Sequence, residues 1–481
     1  LRRGALSLAD TVAQSITVMA PAMSGGFITY LAATKAGGAT SLSFVFATVA
    51  CLFIGGVVAQ FTLGLRSAGS LYTYTTHGLG AFWGYLTGWA YAAGFWVAGP
   101  AVLAGSGVFV SMAMRDFGAP GIFCQWWLWF GLGLVAWFSL SFFGVQLSTR
   151  SSLAFVSFAI AVLVAIALII VVKGGAQGNT VQAFNPAGAG VSWPAVIAGM
   201  AFGLLSFTGF ETAANLGEET RHPRRNIPLA IFGAVAIGGA FYVLVTYATA
   251  IGYGVHAATT QWPKSTSGLA PVATKYAGGL SDLFLIVVAV DAFFCGLGIS
   301  NVVTRMLFSM ARDGVAPKVL AKTHRTYRSP YVALVTYLVG CVAIAVFVIG
   351  ITTPGTRDAV AGGGGHLAAG LYLFSEGLTV VTPPIMIGYL LLSIAGIAYG
   401  LRLGKTGFVI TAAVSTVISG MAVGGSLYYS FVPSSPGAAI PMPYVVIPWL
   451  VLGWLCLACA TAAWLRKARP GTWSRIGTIF E

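Results

Sequence analysis

Three acidic side chains, Glu211, Asp291 and Glu376, fall inside long apolar stretches of the sequence. A carboxylate at the centre of a lipid bilayer costs roughly 3 kcal/mol on insertion scales. Such groups are therefore expected to face a cavity, to pair with a cationic group or to carry a proton. In a chain with only 7% charged residues, these three acids are the first candidates for proton binding or for binding an ammonium group.

Glu211 comes directly after the sequence Ser-Phe-Thr-Gly-Phe at 206–210, which interrupts an apolar helix. The positive end of the helix dipole beyond the interruption favours the anion, whereas burial favours the neutral form. A carboxyl group held between these two influences is a candidate proton carrier. The alternative is a structural carboxylate that accepts hydrogen bonds from the free amides of the interruption.

Asp291 and Glu376 have other candidate roles. Asp291 lies in the middle of an apolar span and could receive the ammonium group of a substrate, particularly the distal one of a diamine. The alternative is a buried acid paired with a hydroxyl group or a water molecule. Glu376 is a candidate for gating, and a structural role is its alternative.

Two apolar spans are interrupted, and these elements must position the candidate site. The first span contains Pro21 and then Ser24, Gly25 and Gly26, and the sixth contains the break at 206–209. Because a bilayer offers no water to free amides and carbonyls, such breaks persist where they line a cavity or bind a ligand. Paired breaks in corresponding spans of two five-span halves are typical of an inverted-repeat transporter with a midplane site. For a single break, the alternative is a kink satisfied by neighbouring helices.

The two breaks together are suited to a zwitterion. Free N–H groups at the start of each second half-helix favour a carboxylate, and carbonyls at the end of each first half-helix favour an ammonium group. An amino acid carries both charges on its backbone. The pattern therefore predicts a small-molecule substrate that is an amino acid or a related amine.

The composition indicates an integral membrane protein. The chain has 481 residues, 57% of them hydrophobic, and a mean hydropathy of +0.87, whereas soluble domains carry about 25% charged residues. The first apolar stretch continues as a span, so no cleavable signal peptide is expected. At roughly 20 residues per span, the sequence predicts twelve spans near 8–34, 40–64, 81–113, 125–147, 151–173, 193–217, 228–253, 280–311, 331–351, 367–400, 408–431 and 445–465.

The net charge of +14 comes from Lys and Arg residues whose positions indicate which loops face the cytoplasm. Most Lys and Arg residues fall on alternate loops and span ends, including the cluster Arg221, Arg224 and Arg225. By the positive-inside rule both termini are cytoplasmic, and the predicted location is the cytoplasmic (plasma) membrane. A membrane-lipid environment is expected, and no nucleic-acid partner.

Cysteine and histidine positions predict neither a metal site nor a cofactor. The six cysteines lie nearly all within spans, and the five histidines lie at span ends or in loops. Cys456 and Cys459 form a Cys-x-x-Cys that we interpret as packing.

An embedded enzyme would need a nucleophile and base or metal ligands in the spans. A nutrient sensor usually has a long cytoplasmic tail, and a channel does not need paired broken helices. The sequence therefore favours a transporter over both classes.

Four stretches in this order resemble the amino acid–polyamine–organocation superfamily of secondary transporters. They are the glycine-rich break at 24–27, the signature at 68–74 with 84–89, the break at 207–211 with 218–228, and the segment 311–317. The resemblance covers about residues 8–400. Three departures stand out: Leu205 and Ile299 replace the aromatics that stack on guanidinium groups in arginine/agmatine exchangers, 153–160 has no lysine, and Leu-Arg-Ser at 65–67 replaces the usual proline.

The resemblance implies an all-α membrane protein with twelve transmembrane helices that works by alternating access. Residues 1–403 would form a ten-helix core of two inverted five-helix repeats with broken helices 1 and 6, and 404–481 would add two peripheral helices and a short cytoplasmic tail. It implies amino acid transport, often proton-coupled. The alternative is a polyamine or other cationic amine carrier with Asp291 and Glu376 as ammonium partners. Symport or exchange, the coupling ion and the oligomeric state stay open.

The resulting site prediction combines the breaks with aromatic residues of the third span. Among Trp89, Tyr91, Phe95, Trp96 and Phe207, only Trp96 and Phe207 are chosen as lids, because their positions match the family's site. Glu211 and Glu376 are predicted for proton coupling or gating. The predicted substrate-binding residues are Ala20, Pro21, Met23, Ser24, Gly25, Gly26, Trp96, Phe207, Thr208, Gly209 and Asp291.

Two predictions concern the cytoplasmic side. The loop at 218–225 is either a solvated loop with local ion pairs or an inner gate. Arg305 lies seven residues before Arg312 and is expected to snorkel to the inner surface. An internal salt bridge is the alternative for Arg305.

Overall fold

The computed structural model describes residues 4–65, 69–143, 145–265, 267–351, 367–428, 430–431, 444–473 and 476. The start of the motif at 68–74, the replacement at 66–67 and most of the tail beyond Trp473 lie outside the described residues. Within these ranges the regular structure is helical, apart from an isolated bridge between Leu6 and Thr220. The α-helices, in chain order, are α1 (Leu8–Met19), α2 (Pro21–Met23), α3 (Thr29–Ala36), α4 (Thr40–Gly64), α5 (Leu71–Leu79), α6 (Ala81–Asp116), α7 (Trp126–Phe142), α8 (Val145–Val172), α9 (Trp193–Phe207), α10 (Pro223–Tyr253), α11 (Val255–Gln261), α12 (Leu269–Ala277), α13 (Phe284–Arg312), α14 (Tyr331–Ile351), α15 (Ala368–Arg402), α16 (Thr406–Tyr428), α17 (Ile447–Ala468) and α18 (Pro470–Trp473).

Ten helical stretches within the described ranges are long and apolar enough to cross a membrane. One of them, Leu8–Gly64, contains α1 to α4, and α7 is a further, shorter apolar helix. A helix satisfies its own backbone polar groups, which is the requirement for a span in lipid. The prediction of an all-helical, multi-pass membrane protein is therefore confirmed.

The broken elements lie at the centre of the helix assembly. Helix α1 packs against α8, α10 and α13, and α9 packs against α3 and α4. Helix α6 packs along both α13 and α15. Few residues of α16 and α17 are buried.

Close helix contacts explain part of the glycine content. A Cβ atom added at Gly94 or Gly105 of α6 would overlap the side chain of Ile385 or Phe374 of α15. Small residues at such contacts let membrane helices approach closely and gain van der Waals packing. Helix α6 is thereby held firmly against α15 beside the breaks.

Candidate functional site

The first break lies at Ala20. Helix α1 ends at Met19, and Ala20 adopts a left-handed conformation with φ 45° and ψ 66°. The chain resumes as a helix at Pro21, whose missing N–H is tolerated in a first helical turn. A π-helical segment then follows at Ser24–Ile28, a type of turn that is frequent at functional sites.

The two glycines of this segment lie against aromatic rings. A Cβ atom at Gly25 would lie 2.9 Å from Phe241, and one at Gly26 would lie 2.9 Å from Phe284. The backbone nitrogen of Ser24 donates to the carbonyl oxygen of Ala20 at 2.8 Å. At these glycines the absence of a side chain therefore permits close packing on α10 and α13.

Asp291 of α13 reaches the start of the second half-helix. Its Oδ2 atom accepts a hydrogen bond from the backbone nitrogen of Met23 at 2.8 Å, and the side chain is fully buried. The other oxygen, Oδ1, is buried without a hydrogen-bond partner among the described residues. The arrangement is a carboxylate cap on a helix N-terminus, where negative charge is stabilised by the free amides and the helix dipole.

The second break begins where α9 ends at Phe207. Thr208 is extended, with φ −50° and ψ 127°, and Gly209 has φ 107°. A short 3-10 helix at Thr212–Leu216 follows. A Cβ atom at Gly209 would overlap Val18 of α1, so the two interrupted elements touch each other at this glycine.

Tyr242 of α10 connects the two breaks. Its hydroxyl group lies 2.7 Å from the carbonyl oxygen of Ser206 and 3.1 Å from that of Met19. These carbonyls belong to the last turns of α9 and α1, which lack helical partners. The Oγ atom of Ser24 and the Sγ atom of Cys295 add hydrogen bonds to the carbonyls of Met19 and Val18. Some of the carbonyl oxygens at the breaks, where an ammonium group is predicted to bind, thus already accept hydrogen bonds from side chains of the protein.

A small cavity of about 40 Å³ lies between the two breaks. Its lining side chains are uncharged, and most are apolar. Ser24 and Thr208 are hydroxyl residues of the breaks, and Cys295 carries a thiol. The lining consists of Val18, Met19, Met23, Ser24, Ile28, Phe95, Ala98, Val102, Leu205, Thr208, Cys295, Ile299, Leu378, Val381 and Ile385.

Both predicted aromatic lids lie elsewhere. The ring of Trp96 packs against Gly340 of α14 and lies 6.1 Å from the ring of Tyr337. Phe207 is buried with its ring 5.0 Å from that of Tyr242. The aromatic residue of α6 that lines the cavity is Phe95, since neighbouring helical positions point about 100° apart.

Glu211 is buried next to the second break. Its Oε1 atom accepts a hydrogen bond of 2.6 Å from the hydroxyl group of Tyr91 on α6. Its Oε2 atom has no hydrogen-bond partner among the described residues, and the same holds for the buried hydroxyl group of Tyr389 on α15. Glu211 therefore has one fixed partner and one carboxyl oxygen available for a proton.

Glu376 is separated from this cluster. It is half-buried on α15, and the hydroxyl group of Ser375 lies 3.5 Å from its Oε1 atom. Electrostatic interactions connect it with Tyr30 and Tyr444. The structure thus brings the break residues and Asp291 together and leaves Glu376 outside the cavity lining.

Two ion pairs join the loop after the second break to α13. Arg305 Nε lies 2.7 Å from Glu219 Oε2, with both side chains 5% exposed, and Arg312 Nη2 lies 2.7 Å from Glu218 Oε1. The expectation that Arg305 snorkels to the surface is wrong, because Glu219 gives its guanidinium a buried partner. The alternative, an internal salt bridge, is correct.

Sequence reasoning missed several residues of this region. Tyr242 and Cys295 lie in spans without a recognised motif, and Phe95 is the neighbour of the predicted Trp96. Leu205 and Ile299 line the cavity, and their departure from the family's pattern is a usable signal for them. Within the described ranges, no group of three or more His, Cys, Asp or Glu side chains could hold a metal ion.

Comparisons with known proteins agree with this architecture. The sequence profile of the family described as "Amino acid permease" matches residues 6–458. The branched-chain amino acid permease BcaP of Bacillus subtilis is 28% identical over 330 residues, covering 64% of this chain and 67% of the relative. The methylthioribose transporter of B. subtilis is 27% identical over 337 residues, covering 66% and 68%. The low-affinity putrescine importer PlaP of Escherichia coli is 28% identical over 313 residues, covering 63% and 65%.

Proposed function

The chain belongs to the amino acid permease family, and from this premise we propose that it is a secondary transporter for a neutral amino acid with an apolar side chain. The observation that carries the proposal is the uncharged lining of the cavity between the two breaks. Leu205 and Ile299 offer apolar contact to a substrate side chain. A guanidinium or distal ammonium group in the same space would lack a carboxylate in the lining, and a buried unpaired charge is costly.

The proposed architecture has twelve spans in the cytoplasmic membrane, with both termini on the cytoplasmic side. It counts α1 to α3 as one span, α4 as the next and α7 as a full span, and arranges the first ten as two inverted repeats. The contact of Gly209 with Val18 and the position of Tyr242 between the two first half-helices support this arrangement. Alternating access would move one set of helices against the other around the fixed breaks.

In the proposed binding mode the substrate's carboxylate approaches the start of the second half-helix of span one. The donors are the amides of Ala22 and Met23, which the substrate would share with Asp291, because the amide of Ser24 already donates to the carbonyl oxygen of Ala20. The ammonium group would bind carbonyls near Ala20, Pro21, Phe207 and Thr208. Gly209 allows the turn that exposes the latter carbonyls, and Phe95, which lines the cavity, takes the lid role predicted for Trp96.

For coupling, we propose that Glu211 carries the proton. The support is its burial two residues after Gly209 and its Oε2 atom, which lacks a partner among the described residues. Protonation would weaken the attraction between the carboxyl group and the dipole of the second break and would help the substrate leave inward. Glu376 is proposed as a gating residue near Tyr30.

A cationic amine is the second candidate substrate. It is favoured by the buried Oδ1 atom of Asp291, which lacks a partner among the described residues, and by the similarity to a putrescine importer. In this version Asp291 leaves Met23 and pairs with an ammonium group.

Competition for uptake separates the two candidates. Purified protein in proteoliposomes with an acidic outside is given labelled leucine, and unlabelled isoleucine, valine, methylthioribose, arginine and putrescine are added in excess. We expect isoleucine and valine to compete and arginine and putrescine not to. The substitution Ile299→Trp, which fills the cavity, should abolish leucine uptake. Ile237→Trp, at a position of α10 that is 46% exposed, is the matched control. Competition by putrescine alone would contradict the proposal.

A further inference from the structure

A groove of about 560 Å³ runs along the outside of the helix assembly between α4, α10 and α16. It shares no lining residue with the cavity between the breaks. Most of its lining is apolar, and its polar members are Gln60, Thr411 and Arg224. The lining consists of Val49, Leu52, Phe53, Gly56, Ala59, Gln60, Leu63, Arg224, Pro228, Phe232 and Thr411.

The length of the groove corresponds to one membrane leaflet. From Val49 to Leu63 helix α4 rises about 21 Å at 1.5 Å per residue, and half of a bilayer of about 40–45 Å, headgroup regions included, is about 20–22 Å. Gly56 lies midway along the groove, where a Cβ atom would be 3.0 Å from Thr411. An extended acyl chain can therefore lie along α4 with this glycine at its floor.

One end of the groove is positively charged. Arg224 is exposed and belongs to the first turn of α10, which begins at Pro223 and continues for 31 residues. Pro223 has no N–H, and the amides of Arg225 and Asn226 donate to the carbonyl oxygen of His222. The attraction of this helix start for an anion therefore comes from the helix dipole. This end lies on the side that the distribution of Lys and Arg assigns to the cytoplasm. A phosphate group at Arg224 would thus meet a guanidinium and a helix N-terminus together.

We propose that this groove binds one anionic phospholipid of the cytoplasmic leaflet. An acyl chain occupies the apolar length of α4, and the phosphate is bound by Arg224 and the first turn of α10. A second lateral groove, between α6, α15 and α17, is lined by apolar side chains and one indole, and its lining contains no basic residue. That groove offers contact to lipid tails without selecting a headgroup.

Native mass spectrometry of the purified, delipidated protein tests this site. The probes are phosphatidylglycerol and phosphatidylcholine with identical acyl chains, together with inorganic phosphate. The wild type should bind one phosphatidylglycerol in preference to phosphatidylcholine. Arg224→Gln should weaken phosphatidylglycerol binding about five-fold, the factor that corresponds to one basic residue near an anionic surface. Arg225→Gln, at the neighbouring exposed arginine, is the matched control and should leave it unchanged.

A second pair of variants tests whether the acyl chain lies in the groove. Thr411→Trp fills it beside Gly56 and should remove the preferred phosphatidylglycerol, whereas Ala93→Trp in the second groove should not. Equal losses in both arginine variants, or unchanged binding in Thr411→Trp, would overturn the proposal. Displacement of the lipid by inorganic phosphate would overturn it as well, because it would indicate a simple anion site. These measurements need no transport activity.

Discussion

The carboxylate of Asp291 lies 2.8 Å from the backbone nitrogen of Met23, although 268 residues separate them in the chain. An acid of α13 therefore occupies the start of the half-helix that follows the first break. A carboxylate at a helix N-terminus is the same chemical group that an amino acid substrate would present there. Substrate binding and the contact between α13 and the first break are thus connected through the same amides.

Substitution of Asp291 should separate its structural role from a role in charge recognition. Asp291→Ala leaves the buried amide of Met23 without its acceptor, and we expect a loss of about 1–3 kcal/mol in the free energy of unfolding. Asp291→Asn keeps an acceptor at the same position, so most of the stability and leucine uptake should persist. Thermal unfolding and uptake in proteoliposomes measure the two effects. Loss of uptake in the Asn variant with unchanged stability would instead identify the charge as part of the substrate site.

Substitution of Glu211 should uncouple transport from the proton gradient. Glu211→Gln cannot ionise, so a pH gradient should no longer drive leucine accumulation above the equilibrium level. Counterflow of labelled leucine should continue. The control is Asp116→Asn, which alters an exposed acid at the end of α6. Full gradient-driven accumulation by the Glu211 variant would refute the coupling role.

Tyr91→Phe removes the hydroxyl group that donates to Glu211 at 2.6 Å. Because a hydrogen bond to the ionised carboxylate favours the ionised form, its loss favours protonation. The pH of half-maximal uptake should therefore move upward. Tyr85→Phe, on the same helix, is the control, since that hydroxyl group donates to Thr461. An unchanged pH profile in Tyr91→Phe would show that the tyrosine does not influence the coupling group.

Gly209 should tolerate no side chain. Its φ of 107° is rarely adopted by L-residues, and a Cβ atom would overlap Val18. We expect Gly209→Ala to lower the free energy of unfolding by about 2–4 kcal/mol from the backbone and overpacking costs together. Gly453→Ala, in α17 where a Cβ atom meets open space, is the control and should be neutral or slightly stabilising. Equal stability of the two variants would mean that the second break does not require glycine.

Long apolar runs predicted the helices, and the proline, glycine and hydroxyl residues within them predicted the breaks. The predicted spans agree with the observed helices to within a few residues in most cases, because about 20 apolar residues have one stable form in lipid. The first break was predicted at Pro21 and at 24–26; it lies at Ala20, directly before Pro21, and the glycines lie in the π-helical segment that follows. Pro21 explains the difference, since the residue before a proline avoids the helical region and the glycines serve the packing of Phe241 and Phe284.

Contacts between distant segments could not be predicted. Asp291 and Met23, or Arg305 and Glu219, become neighbours only when the helices pack, and a single sequence carries no signal for that pairing. Trp96 was chosen by position in a motif, whereas the face of α6 toward the cavity is set by tertiary packing and carries Phe95. Local sequence thus determines where a helix breaks, and packing determines which side chains meet there.

The two ion pairs of the loop after the second break should differ in strength. Arg305→Ala leaves Glu219 buried and uncompensated, which costs about 3–5 kcal/mol. Arg312→Ala should cost less, about 1–3 kcal/mol, because Arg312 is 26% exposed, although Glu218 is only 8% exposed and loses its hydrogen-bond partner. Thermal unfolding of both variants measures the difference. The double variant Arg305→Met/Glu219→Leu should recover most of the stability, and failure to recover would show that the charges have a role beyond pairing.

Cys295 provides a native reporter of access to the cavity. It lines the space between the breaks, and its thiol is buried against the carbonyl of Val18 at 3.3 Å. Cys456 and Cys459 are exposed and are first replaced by serine. In this background, with no other substitution, we expect a maleimide to label Cys295 slowly. Separation of α13 from the loop by Glu219→Gln should accelerate labelling, since the ion pair with Arg305 holds these elements together.

The same experiment tests the site itself. If leucine occupies the cavity, saturating leucine should protect Cys295 from the maleimide, and putrescine should not. Cys341, buried against Gly99 on the far side of α6, is the internal control and should be indifferent to leucine, which mass spectrometry of the labelled peptides would show. Labelling of Cys295 that is fast and insensitive to leucine would place the substrate path elsewhere. Protection by leucine would instead connect the uncharged lining directly to recognition of an apolar side chain.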